Sequence, residues 1–389
     1  MGIRGIVRLQ WLLGTACAVL IANLYYAQPL TGVIGAALGL PQQSVGLIVT
    51  LPLAGYGTGL LLLVPLADLL ENRRLVLALV GGEAVCVLLL GLLSSAGQFL
   101  GTAFLAGAMA SAVQILVPYV TYATPEATRG QAVGKVVSGV MLGIMLARPL
   151  SSFASNLGSW RAIFQISAAL LALLFIALWF ALPPRRPTSE GRYGALLLSM
   201  GRIFVTTPVL RRRAFYQALM FGAFSVFWTA VPLWLTGSQF NLSQRGIALV
   251  ALAGVAGAVA PPLAGRLADK GFTRSGTMGA MLLAVASFLA TGLARGGSTA
   301  GVVLVTLCAM ALDFAVSANL VFGQRAIYAL AADQRSRINS LFMTTFFIGG
   351  AIGSAASGWC YFRFGWAGII MMGSALPALG LGYLSIERR

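Results

Sequence analysis

The stretch Pro65-Leu66-Ala67-Asp68-Leu69-Leu70-Glu71-Asn72-Arg73-Arg74 is a short charged turn between two long apolar runs. It has an echo at Gly265-Arg266-Leu267-Ala268-Asp269-Lys270-Gly271, and Asp68 and Asp269 are 201 residues apart. Both turns read Leu-Ala-Asp with basic residues following. A second pair repeats at nearly the same offset. Gly158-Ser159-Trp160-Arg161-Ala162-Ile163 is echoed by Gly365-Trp366-Ala367-Gly368-Ile369, with Trp160 and Trp366 206 residues apart. Gly143 and Gly349 share that spacing. The chain therefore reads as an internal repeat of about half its length, one way in which transporters are built.

Outside these turns the sequence is apolar. Hydrophobic residues are 59% and charged residues 9%, whereas soluble domains average about 25% charged. A bilayer-spanning helix needs about 20 mostly apolar residues. Twelve runs qualify: 9–30, 45–67, 74–94, 99–122, 133–156, 161–182, 214–236, 246–267, 276–294, 299–323, 338–358 and 365–385. An even number places both termini on one side. The net charge of +17 would suggest nucleic acid in a soluble protein, but its distribution points to a membrane instead. With the N-terminus in the cytoplasm, 21 Lys and Arg fall in cytoplasmic segments. Four (Arg161, Arg245, Arg295 and Arg363) fall on the other side, and Arg148 lies in a span. Short loops with this bias are oriented basic side in. The expectation is a membrane protein with cytoplasmic termini and no nucleic-acid partner. Arg4 and Arg8 precede an apolar run as in a signal peptide, but eleven further spans make it an uncleaved first helix.

Several chemistries find no residues here. There is no histidine, which removes His-ligated haem, His-zinc sites and His proton relays. Cys17, Cys86, Cys308 and Cys360 stand singly, without a Cys-x-x-Cys pair, so no disulfide or zinc framework is indicated. Gly130-Gln-Ala-Val-Gly134-Lys135-Val136 is one spacer residue short of a phosphate-binding loop and lacks the Ser/Thr after Lys. Gly55, Gly57 and Gly59 lack the dinucleotide spacing. No cofactor is expected, the chain is not read as an enzyme, and an ion gradient is the natural energy source. A membrane sensor is the reading from another class, and the absence of any extramembrane domain argues against it.

From 185 to 213 the composition changes abruptly, with seven Arg and a single acid, Glu190. This reads as a basic cytoplasmic linker between two six-helix halves, 1–184 and 214–389. A peripheral amphipathic helix is expected near 192–206. Arg211-Arg212-Arg213 is placed at the anionic leaflet surface, where each basic residue gains about 1 kcal/mol.

On Gly265–Lys270, and on the run Asn23-Leu24-Tyr25-Tyr26-Ala27-Gln28-Pro29, the chain resembles the major facilitator superfamily. The nearest branch is the bacterial arabinose-efflux-like or drug-efflux-like one. The resemblance covers essentially the whole chain. It implies an all-α membrane protein of twelve transmembrane helices in two six-helix halves. It also implies that the charged turns act as a conformational latch, through Asp68, Arg73, Asp269 and Lys270. The first turn departs from the family signature, with Val64 and Leu69 in place of Gly and a basic residue. Two further departures concern the antiporter pattern. Ser111-Ala112-Val113-Gln114 lacks its Arg, and Arg148-Pro149 stands for its Gly-Pro.

Charges within spans are the natural site candidates. A lipid-facing charge at the bilayer centre costs at least about 2.5–3.5 kcal/mol, so such residues face a cavity or a partner. Arg148, Asp313 and Glu83 qualify. The fifth and tenth helices can border the central cavity in the family, so Arg148 and Asp313 are assigned as the proton and charge centre, with Ser317 and Gln324 on the Asp313 face. For Glu83 a structural hydrogen bond is expected. Gln217, Phe221, Phe224 and Trp228 recur at i, i+4, i+7 and i+11, one helical face. With Tyr26, Gln114 and Tyr119 they are the expected substrate cavity. Pro377 is expected to interrupt the last span. The resulting expectation is a monomeric secondary transporter moving a small organic solute by alternating access, as proton-coupled efflux. The alternative is uptake of an organic anion with Arg148 as counter-charge.

Overall fold

Segments of this composition fold as helices because lipid offers no hydrogen-bond partners, so each backbone group must be satisfied within its own segment. The computed structural model describes residues 3–122, 124–156, 158–187, 192–254, 259–330 and 334–387. Its α-helices among the described residues are α1 (Ile3–Ala22), α2 (Thr31–Ala37), α3 (Leu47–Leu62), α4 (Asn72–Leu90), α5 (Ala96–Ala110), α6 (Val113–Tyr122), α7 (Arg129–Ser155), α8 (Ala162–Ala181), α9 (Tyr193–Thr206), α10 (Pro208–Thr236), α11 (Gln244–Ala253), α12 (Ala260–Asp269), α13 (Thr273–Thr291), α14 (Thr299–Tyr328) and α15 (Arg335–Ile386). No strand occurs among the described residues.

Each of the twelve apolar runs coincides, over most of its described residues, with helix. α5 and α6 share the fourth run, α11 and α12 the eighth, and α15 carries the last two. Eight segments among the described residues are individually long and apolar enough to cross a membrane. α15 turns at Gly365, where φ is 62° and ψ −157°. Gly158, at the matching place in the first half, has φ 110°. Both precede the repeated tryptophans, and this backbone region favours a residue without Cβ.

Two expectations need correction. Pro377 does not interrupt its span; the helix continues through it. A proline in a membrane helix is tolerated where neighbouring groups satisfy the carbonyl it frees. The first run, 9–30, is helical only to Ala22, after which Asn23–Ala27 form turns and Gln28–Leu30 a 3-10 turn. The linker contains a helix, α9, where one was expected. Residues 188–191, Glu190 among them, lie outside the described residues, as do Gly257, Arg388 and Arg389.

Contacts group the chain into two units. One comprises Met1–Ala27 and Leu51–Ser199, the other Gln28–Thr50 and Met200–Arg389. In the first unit α7 lies against α1, with Gly139 facing the Gly14 backbone and Gly143 the Ala18 backbone. Small residues let membrane helices approach this closely. Gly55 and Gly59 meet the carbonyls of Phe104 and Ala108 in the same way. Trp160 packs edge-on to Phe99 and Phe164.

The second unit repeats the device. Gly349 and Gly353 of α15 face the backbones of Ala218 and Gly222 on α10. Trp366 stacks on Trp234, with centroids 3.8 Å apart, and its Nε1 donates to Thr291 at 3.1 Å. Ala260, Ala264 and Ala268 of α12 pack on Ala318 and Phe322 of α14. Ser354 holds residues 28–50 to this unit. Its hydroxyl donates to the Gly46 carbonyl at 3.1 Å and lies 3.0 Å from the Thr229 hydroxyl.

Candidate functional site

In the second unit the expected face of α10 is buried along its whole length: Gln217, Phe221, Phe224 and Trp228. The spacing puts the four side chains in one row. Phe221 stacks on Phe346 of α15, with centroids 3.9 Å apart, and on Phe224 at 5.1 Å. Trp228 Nε1 donates to Asp313 Oδ1 at 2.8 Å. Asp313 is 6% exposed. Trp228 is therefore the orienting partner of that carboxyl group. Gly254, at the end of α11, closes the arrangement. A Cβ built there would lie 2.6 Å from Asp313 Oδ2 and 3.4 Å from Trp228 Cζ2. About three turns toward the other end of α10, Asn319 Nδ2 donates to Gln217 Oε1 at 2.6 Å, and Gln217 Nε2 donates to the Val316 carbonyl at 3.4 Å. Ser317 and Gln324 are half-buried.

In the first unit Arg148 is 3% exposed on α7. Its guanidinium lies over the Tyr25 ring, 5.5 Å from the centroid, within cation–π range. Tyr25 belongs to the turns that follow α1, and it is a partner that spacing did not single out. Gln114 Nε2 donates to the Tyr56 hydroxyl at 3.4 Å. Tyr26 is buried, with Ser167 beside its hydroxyl. The Tyr119 hydroxyl donates to the Pro183 carbonyl, so it ties α6 to the segment after α8. Glu83 is fully buried, and its Oε1 accepts from Asn23 Nδ2 at 2.8 Å. Asn23 in turn accepts from the Ser167 hydroxyl at 2.8 Å.

The charged turns are held within their own units. Asp269 ends α12 and pairs with Arg325 of α14 at 2.9 Å, both side chains being largely exposed. Lys270 caps α12, and Gly271 follows with φ 84°. Asp68 ends a 3-10 turn. Arg73 Nη2 donates to the Trp179 carbonyl at 2.6 Å, and the Asn72 backbone N–H donates to the Arg185 carbonyl at 2.9 Å.

The sequence thus pointed to the α10 row and to the three buried charges Glu83, Arg148 and Asp313. It missed Gly254, Asn319, Phe346 and Tyr25. Asn319 had a usable signal, since an amide inside an apolar run needs a partner. Gly254 had none, because glycines are frequent throughout these spans.

Twelve apolar runs on helix, grouped in two units with buried charges inside the spans, define a polytopic α-helical integral membrane protein. The chain belongs to the Major Facilitator Superfamily, whose family model matches residues 11–319 and 217–389. It is a transporter. Among curated relatives, it is 38% identical to the "Uncharacterized transporter YgaY" of Escherichia coli, over 95% of this chain and 93% of that protein. It is 32% identical to the "Probable transporter SCO4007" of Streptomyces coelicolor, over 95% of this chain and 85% of that one. Among solved structures it resembles the nucleoside transporter NupG, with a TM-score of 0.75 at 15% identity, covering 97% of this chain and 99% of that chain. It also resembles a bacterial homolog of the human lysosomal transporter Spinster, with a TM-score of 0.73 at 16% identity, covering 99% and 96%. These structural likenesses show the fold.

Proposed function

We propose that the protein is a proton-coupled secondary transporter exporting a small organic solute across the bacterial inner membrane. The observation that carries this reading is the Asp313 carboxylate, buried in a span and oriented by Trp228. A transporter without histidine needs another titratable group on its transport path, and carboxylates in membrane spans serve as proton relays. The row Gln217, Phe221, Phe224 and Trp228 suits a solute with an apolar body and a few polar groups, as ligand sites generally combine apolar walls with sparse polar contacts. In the first unit Tyr26 and Gln114 are further candidate solute contacts, and the charged turns with Asp68, Arg73, Asp269 and Lys270 act as the latch between access states. The test is flux in proteoliposomes, using a solute found by thermal-shift screening. Asp313→Asn abolishes accumulation driven by a pH gradient while solute exchange at equilibrium survives. Retained pH-driven accumulation in well-folded Asp313→Asn protein would place coupling elsewhere.

A second reading is favoured by Arg148, a fully charged group at any relevant pH that is buried over Tyr25. On that reading the solute is an organic anion, Arg148 is its counter-charge, and transport runs inward. The human MFSD10 protein, a structural neighbour at TM-score 0.69 and 18% identity, is itself described as an organic anion transporter. Arg148→Ala then abolishes exchange as well as accumulation.

A further inference from the structure

Among the described residues, Glu83 is the one buried acid in the first unit that the proposed function leaves unused. It lies eleven residues past the start of α4, roughly 16 Å along the helix axis, which is about the middle of a layer roughly 30 Å thick. Its Oε1 accepts from Asn23 at 2.8 Å. Its Oε2 is fully buried and has no hydrogen-bond partner among the described residues. Such an oxygen in a native structure calls for an explanation.

The surroundings narrow the explanation. Tyr26 after α1, Tyr56 of α3 and Cys86 one turn along α4 are titratable groups in its neighbourhood. The Asn23 amide turns its N–H, not its carbonyl, toward the carboxyl. A metal cation would need acceptors there, whereas a proton on Oε2 removes the charge, the form that is costliest to bury without a partner. The contacts also lead somewhere. Asn23 is the first residue beyond α1, and its Nδ2 donates to the Val19 carbonyl at 3.0 Å as well. It therefore fastens the place where the helix gives way to turns. Two and three residues on stand Tyr25, under the Arg148 guanidinium, and Tyr26, beside Ser167. Ser167 also donates to Asn23.

We propose that Glu83, with Asn23 and Ser167, is a second proton-binding site, in the first unit, and that it positions the α1 break and hence Tyr25 beneath Arg148. The proton binds at Oε2 and leaves from it, with no other bond made or broken. Glu83 is a positioning residue, since no substrate need touch it. The proposal rests on the transport reading above for its purpose, but its test uses no solute and does not involve Asp313.

The test is infrared difference spectroscopy of the full chain in lipid nanodiscs, with pH and deuterium oxide as the only probes. A carboxylic-acid C=O band that appears on acidification is expected in wild type. Its Glu83 component is lost in Glu83→Gln and kept in Asp313→Asn, and Glu83→Asp restores a band. Asn23→Ala keeps the band but moves its midpoint by about one pH unit, a tenfold change in proton affinity. This variant carries the test should Glu83→Gln fail to fold. A Glu83→Gln spectrum identical to wild type, or an Asn23→Ala midpoint that does not move, overturns the proposal. Neither result bears on whether Asp313 couples transport.

Discussion

At the scale of single residues, the sharpest dependence is of Asp313 on a residue with no side chain. Gly254 leaves room for the carboxylate that Trp228 orients, and a methyl group there would sit 2.6 Å from Oδ2. The carboxylate is the end of a short side chain, so it moves before the backbone does. Gly254→Ala is expected to lower pH-driven accumulation by about tenfold, which corresponds to some 1.4 kcal/mol. Melting temperature should change little. Flux and thermal unfolding on the same preparation check this. A fall in both together would mean that the methyl disturbs packing and not the site. Gln217→Leu makes a different kind of change. It removes the acceptor of Asn319, which is buried. An unsatisfied buried donor costs about 1–3 kcal/mol, so this variant should unfold at a lower temperature. Asn319→Leu added to Gln217→Leu should recover most of the loss.

At the scale of elements, each unit holds a glycine-lined crossing at a matching place, α1 on α7 and α10 on α15. Gly143 and Gly349 both lie so close to facing backbone that a Cβ overlaps main-chain atoms. Main chain cannot swing aside, so the helices must separate along their contact. Gly143→Leu and Gly349→Leu are each expected to abolish monodisperse protein in size-exclusion chromatography. Gly101→Ala is the control, because nothing lies within 4 Å of its would-be Cβ. A stable Gly143→Leu protein would show that the crossing tolerates more separation than its geometry implies. The charged turn behaves differently. Asp269 and Arg325 form an exposed pair, and such pairs contribute about 0–1 kcal/mol. Asp269→Asn should therefore leave the melting temperature almost unchanged. If the turn is a latch, distances between spin labels placed in the two units will still shift. Unchanged distances with wild-type flux would leave the turn only its role in membrane orientation.

At the scale of the whole molecule, orientation follows from charge. The 21-to-4 division of Lys and Arg predicts that both termini and the linker face the cytoplasm. A single cysteine introduced at Glu190, in a background without the four native cysteines, should resist membrane-impermeant reagents in intact cells and react after lysis. Labelling of intact cells would invert the topology. The outward-facing large apolar side chains are in keeping with a lipid surround, Phe180, Leu173 and Leu293 among them.

What the sequence determined by itself is everything that local period and composition encode. Twelve runs of membrane length, the repeat near 206 residues, the charge bias, and Arg148, Asp313 and Glu83 as charges inside spans are all legible there. So is the α10 row, because four side chains on one helix need only the helical period to align them. The tertiary structure decided which side chain meets which. Trp228 reaches Asp313 across 85 residues of chain, and Asn23 reaches Glu83 across 60. No local spacing encodes such a meeting, since it depends on how helices cross and how far each rotates about its axis. The end of α1 at Ala22 was hidden for a related reason. Asn23-Leu24-Tyr25-Tyr26 continues the apolar run, yet Asn23 is held by Glu83 and Ser167 from two other helices. Hydrogen bonds from neighbouring helices meet the chain where that helix stops, and the hydropathy of the run does not encode them.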